Sequence, residues 1–328
     1  MKKTEHYLPS TDATQQLHYI TWEPAEGPRA VLQLVHGMEE YIDRYDTLAR
    51  ELTQRGIAVI GHDHLGHGLS GRQIAEGPRS LDTLNQRGYF TDRRDGADVV
   101  IADIHLLRSE AQQRWPHVPH FIMGHSMGSF FVRRYLTLHP DAVAGAIICG
   151  TGWYNALLTG SALVASYLVG WCRGWHCRST FLKNLTSPHA RAFRSEGEGA
   201  WLSRDPENVR RFREDPMCGF GFTAGGYRVM YRNLLHVSLC HDYAHLRRLA
   251  VEGSAFPILV VSGADDSVGG TRAVKKVAAQ YRALGFPDVT EYIVPHDRHE
   301  VILEPDGPTV RATIGDWVIA RIPSSYSA

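Results

Sequence analysis

The chain has 328 residues, 43% hydrophobic and 21% charged, which excludes a disordered or low-complexity protein and sizes it as one large domain or two ordinary ones. Its 35 basic residues match 35 acidic ones, so no charge excess points to a nucleic-acid partner. The five cysteines, at 149, 172, 177, 218 and 240, form no CxxC pair and are odd in number, which argues against a disulfide scaffold or a structural zinc site.

In chain order, segments 5–8 and 16–22 are patterned differently from the later strands and predict an antiparallel sheet edge. A strand at 31–35, a helix at 44–54 and a strand at 57–60 follow. A glycine-rich loop leads to a helix at 93–111, a strand at 120–123, a helix at 127–138 and a strand at 144–149. The pattern resumes late, with a strand at 258–261, a helix at 271–284, a strand at 289–294 and a helix at 309–320. Strands alternating with helices predict an α/β protein whose mostly parallel sheet is covered on both faces. Between about 153 and 251 the alternation stops and the sequence is helix-rich. The expected organisation is a core built from 1–152 and 251–328, with 153–250 inserted as a helical cap.

Met1-Lys2-Lys3 has no apolar run behind it, so no secretory signal is expected and the default compartment is the cytoplasm. Residues 142–172 carry no charge, yet Asn155, Thr159, Ser161 and Ser166 interrupt the apolar run. A bilayer-spanning helix needs about 20 consecutive, predominantly apolar residues. An apolar lid, or a helix resting peripherally on a membrane, is therefore expected in place of a span. Leu157, Leu158, Leu163 and Tyr167 are expected to line or roof an apolar pocket.

The strongest chemical signal is Gly124-His125-Ser126-Met127-Gly128. This G-x-S-x-G pentapeptide lies between a predicted strand and a predicted helix, the context of a nucleophile elbow. The serine then projects at a helix N-terminus, where free N–H groups favour developing negative charge. A serine hydroxyl also needs a base, and the base an acid. The strand at 258–261 ends in Ser262-Gly263-Ala264-Asp265-Asp266, and that at 289–294 in Pro295-His296-Asp297-Arg298-His299. Each loop leaves two candidates: Asp265 or Asp266, and His296 or His299.

With these residues in view the sequence resembles the α/β-hydrolase superfamily, in its branch of monoacylglycerol lipases, lysophospholipase-like hydrolases and "serine aminopeptidases". The resemblance covers nearly the whole chain. It rests on the segment from His36-Gly37-Met38-Glu39-Glu40 to Arg44-Tyr45, on His62-Asp63-His64-Leu65-Gly66-His67-Gly68-Leu69-Ser70, on the pentapeptide, and on Arg298-His299-Glu300. It implies a Ser126–His299–Asp266 triad, with the backbone amides of Met38 and Met127 as the oxyanion hole. It implies hydrolysis of lipid-like carboxylic esters, with no metal or cofactor, and makes the histidine-rich segment 62–67 structural. A short-chain carboxylesterase and an aminopeptidase or amidase are the alternatives on the same fold. Two positions depart from the pattern: Tyr41 replaces a frequent histidine, and Ser267 the usual proline. The cap segment 201–205 also resembles bacterial lysophospholipase-like members, with no chemical role implied. The run Arg210-Arg211-Phe212-Arg213 is read as a solvated helix face in preference to a phosphate site.

Overall fold

The computed structural model describes residues 1–70, 72–73, 87–239, 243–251 and 256–322. Cys240 and the junction near residue 252 lie outside them. The chain starts with an antiparallel pair, β1 (Lys2–Pro9) and β2 (Gln15–Glu23), in which Tyr7 faces His18. Alternating exposure along β1 marks it as the sheet edge, as the sequence pattern predicts. Next come β3 (Ala30–Val35), a 3₁₀ turn at Ile42–Tyr45, α1 (Asp46–Thr53), β4 (Ile57–His62) and the two-residue β5 (Arg72–Gln73) paired to β2. The helix predicted from 44 thus begins in 3₁₀ geometry and becomes α-helical at Asp46.

The core continues through α2 (Gly96–Arg114), β6 (His120–His125), α3 (Met127–Leu138) and β7 (Gly145–Cys149). Five helices follow: α4 (Ala156–Arg173), α5 (Thr180–Thr186), α6 (Pro206–Glu214), α7 (Ala224–Leu239) and α8 (Ala244–Val251). The chain then returns to the sheet with β8 (Ile258–Gly263), α9 (Gly270–Ala283), β9 (Val289–Val294) and α10 (Gly307–Ile319).

The sheet order is β1-β2-β4-β3-β6-β7-β8-β9, parallel from β4 onward. Strands β3, β4, β6, β7 and β8 are buried at every position, so they read as near-continuous apolar runs. On one face Leu48 and Leu52 of α1 and Ile314 and Trp317 of α10 pack against Leu32, Phe121 and Ile147. On the other, Ile104, Phe131 and Val277 of α2, α3 and α9 pack against Val35, Ile122 and Ile148. This is the α/β-hydrolase architecture.

Helix α7, from the inserted segment, packs on α2 and α3, and its Tyr227, Val229 and Leu234 belong to the same apolar cluster as the sheet. Helix α4 packs chiefly on α7.

Candidate active site

The functional residues sit where parallel strands end. At the end of β6 the chain turns into α3 through Ser126, whose φ of +53° and ψ of −120° are a backbone conformation natural to glycine. Its two glycine neighbours make that turn sterically feasible. A Cβ on Gly124 would meet the Gly128 carbonyl oxygen at 2.3 Å, and one on Gly128 would meet the Val35 carbonyl oxygen at 2.0 Å. The Ser126 amide is anchored to the Cys149 carbonyl at 3.0 Å, so the elbow hangs on the neighbouring strand.

Geometry separates the paired candidates that sequence left open. Asp266 is buried and its Oδ1 lies 3.0 Å from Nδ1 of buried His299, whereas Asp265 and His296 are exposed. The Asp266 carboxylate also accepts from the Ser262 hydroxyl and the Val268 amide, each at 2.8 Å. Burial alone would raise its pKa. The His299 ring and these donors outweigh that and hold it below its ordinary value. The two loops are interleaved, since the Asp265 amide donates to the Asp297 carbonyl at 3.0 Å.

The loop after β3 closes the other side. A Cβ on Gly37 would stand 3.1 Å from the Ser126 Cβ. Among the described residues, neither the Met38 nor the Met127 amide donates to a protein acceptor, so both are available to an incoming oxygen. The histidine-rich motif holds this loop. His36 Nε2 accepts from the His64 amide at 2.9 Å, so its Nδ1 carries the proton and donates to the Gly37 carbonyl at 2.8 Å. Asp63 accepts from the Ile42 and Leu69 amides at 2.7 and 2.9 Å. Burial pushes His62 and His67 down to about 3, so both are neutral. Among the described residues no group of three or more His, Cys, Asp or Glu side chains is arranged to hold a metal ion.

A family model described as "Serine aminopeptidase, S33" matches residues 26–306, a span that holds all of these loops. The chain belongs to this family. Among its relatives, a monoacylglycerol lipase of Mycolicibacterium smegmatis is 27% identical across 93% of each chain. A monoglyceride lipase of Rattus norvegicus is 25% identical over 94% of this chain and 88% of its own. A carboxyl esterase from Bacillus coagulans, solved in complex with glycerol, has the same fold: TM-score 0.82, 23% identity, 98% of this chain and 100% of that one.

Beneath the site this S33 member carries a buried ionic cluster that sequence reasoning quoted only as motif letters. Glu40 accepts from the Gly37 amide (2.6 Å), the Tyr45 hydroxyl (2.9 Å) and Arg44 (2.7 Å). Arg44 also forks onto Glu300 at 2.6 and 3.0 Å, and Asn208 of α6 donates to Glu300 at 2.8 Å. His125 Nδ1 lies 3.3 Å from Glu40 Oε1 and its Nε2 lies 3.1 Å from the His299 carbonyl oxygen. Both partners are acceptors, a setting that favours the protonated ring. Glu40, Glu300 and the His299 carbonyl outweigh burial and raise its pKa.

A raised histidine contributes stability below its ordinary pKa and loses it as pH rises through the raised value. Glu40→Gln removes the partner, so the thermal-midpoint gap between wild type and variant should narrow from pH 6 to pH 9. A constant gap would mean that His125 does not change its charge across this range.

Helix α4 departs from the pocket expectation. Its buried positions are the small residues Thr159, Ala162, Ser166 and Gly170, one stripe that lets α4 lie close against α7. Large apolar side chains are turned outward: Leu157 is 81% and Leu158 59% exposed. Leu163 packs against the core, and Tyr167 against Trp171 and Trp175. The arginines of α6 are ion-paired, Arg210 with Glu207 and Glu214 and Arg213 with Glu198, as befits a solvated face.

Proposed function

We propose that the protein is a serine hydrolase that cleaves carboxylic esters of lipid-like substrates, monoacylglycerols or lysophospholipids, through an acyl-enzyme on Ser126. The observation that carries this reading is the glycine-type backbone at Ser126 in a chain that also holds a buried, hydrogen-bonded Asp266–His299 pair. As the Ser126 oxygen bonds the acyl carbon, its proton passes to His299 Nε2, and Asp266 holds the Nδ1–H of the resulting imidazolium. The Met38 and Met127 amides stabilise the oxyanion, a contribution of about 10²–10³ in rate per donor. Collapse expels the alcohol, which takes the proton from His299. Water then repeats the sequence and releases the acid and the serine.

In this reading residues 153–250 act as the cap, and α4 supplies a peripheral lipid contact on a cytoplasmic enzyme. The support is the outward set of Leu157, Leu158, Val164, Leu168 and Trp171, with Arg173 at the helix end. By length and composition α4 is the one helix among the described residues that could cross a bilayer. Its buried small-residue face against α7 favours a surface role.

The test compares initial rates on p-nitrophenyl esters from acetate to palmitate and on monoolein in vesicles. Wild type should prefer medium or long chains. Leu157→Ser with Leu158→Ser should lower the vesicle rate several-fold and leave the soluble-ester rate unchanged. Cleavage of acetate and butyrate alone would make this a short-chain esterase, and equal loss on both substrate forms would remove the membrane role.

A further inference from the structure

Three catalytic loops are each tied to the helical segment between β7 and β8, and two of the ties use the side chains that depart from the family pattern. On the oxyanion loop the Tyr41 hydroxyl donates to Asp215 at the end of α6 (2.7 Å), and the Gly219 amide donates to the Glu39 carbonyl (3.0 Å). On the acid loop the Ser267 hydroxyl donates to the His189 carbonyl at 3.2 Å. Residues 200–204 run along the base loop as a strap. The Glu300 amide donates to the Leu202 carbonyl at 2.8 Å, and Arg298 Nη1 to the Ala200 carbonyl at 2.7 Å. Glu304 accepts from the Ser203 hydroxyl (2.7 Å) and from the amides of Arg204 (3.0 Å) and Arg298 (2.8 Å). Arg204 Nε reaches the buried Asp297 carboxylate at 3.0 Å.

The side chain this strap presents to the site is Trp201. Its ring lies 5.3 Å from the His299 ring, centre to centre, with 37° between the planes. Beyond it the His189 ring meets Trp201 edge-on at 4.6 Å. Burial and the neighbouring His299 push His189 down to about 4, so an uncharged ring backs the indole. The His125 ring, 4.9 Å away, also faces His299.

These contacts answer a geometric need. The hydrogen bond that His299 Nδ1 donates to Asp266 fixes the imidazole at that atom alone. Torsion about a histidine's Cβ–Cγ bond is soft, with broad preferences, so one anchor leaves the ring free to roll and swing Nε2 away from the serine. A flat side chain against the ring removes that freedom.

We propose that Trp201 is a positioning residue for the base: the indole, held by the 200–204 strap, fixes the roll of the His299 ring so that Nε2 stays aimed at Ser126. This rests on the Ser126–His299–Asp266 reading. A misplacement of about 1 Å costs about 10² in rate. Because the indole acts on the orientation of the base, the loss belongs in kcat.

The experiment measures kcat and KM for p-nitrophenyl butyrate in Trp201→Phe, Trp201→Leu and Trp201→Ala, with Ser126→Ala alongside and thermal midpoints recorded. Trp201→Leu and Trp201→Ala should lose about 10- to 100-fold in kcat with KM within about 2-fold, and Trp201→Phe, which restores a flat ring, should recover most of the loss. If the alanine variant does not fold, the leucine–phenylalanine comparison carries the result. Wild-type kcat in Trp201→Leu, or a loss confined to KM, overturns the proposal. An inactive Ser126→Ala beside a fully active Trp201→Leu leaves the triad standing and removes the positioning role. An active Ser126→Ala removes both.

Discussion

Replacing Ser126 by alanine or glycine is expected to lower kcat for a p-nitrophenyl ester by about 10⁴-fold or more, with the fold intact. The size follows from the absence of a second nucleophile at the elbow: the adjacent side chains are a buried histidine ring held between two acceptors and a buried methionine. The two variants should differ in stability. At φ +53° and ψ −120° a Cβ is strained, and glycine is not. Ser126→Gly should therefore be the more stable by about 1 kcal/mol. Rates and thermal denaturation on both variants check this. A retained rate would take Ser126 out of the chemistry, and a less stable glycine variant would mean that the elbow carries no strain.

Asp266→Asn should cost about 10³–10⁴-fold in kcat. The carboxylate accepts from three donors: His299 Nδ1, the Ser262 hydroxyl and the Val268 amide. An asparagine offers one acceptor oxygen and must turn its NH₂ toward a donor. Facing His299, that NH₂ selects the tautomer with the proton on Nε2, which cannot accept from serine. The same substitution changes acid stability. The Asp266 pKa is depressed below its ordinary 3.8. Its contribution is thus present above that value and lost as pH falls through the folded value. The acid unfolding of Asp266→Asn should be shallower below about pH 4. Asp265→Asn, at the exposed neighbour, should match wild type in both assays, and an equal loss there would reassign the acid.

Much of this was legible in the sequence because its cause is local. The strands at 31–35, 57–60, 144–149 and 258–261 announce themselves as apolar runs, since parallel strands covered on both faces have no polar side. The elbow is legible because only glycine tolerates the approaches at 124 and 128. The choice between Asp265 and Asp266 was not, because both follow the same strand and only the folded chain decides which faces His299. Which face of α4 is buried was not legible either: composition suits both a pocket roof and a surface helix, and only the folded chain turns the small Thr159, Ala162, Ser166 and Gly170 inward. Segment 201–205 stood out only as a resemblance with no chemical role, since the partner of Trp201 lies almost a hundred residues away in sequence.

The sheet order also has a temporal consequence. Strand β8 pairs directly with β7, although the whole run of helices α4 to α8 is synthesised between them. Asp266 and His299 follow the last two strands, on loops of which the 200–204 strap meets the second. A nascent chain can therefore complete the turn at Ser126 well before either residue is made. Long-range pairing of this kind is slow to form, and until it forms β7 is an open sheet edge. That intermediate, and not the finished enzyme, is the species most exposed to aggregation.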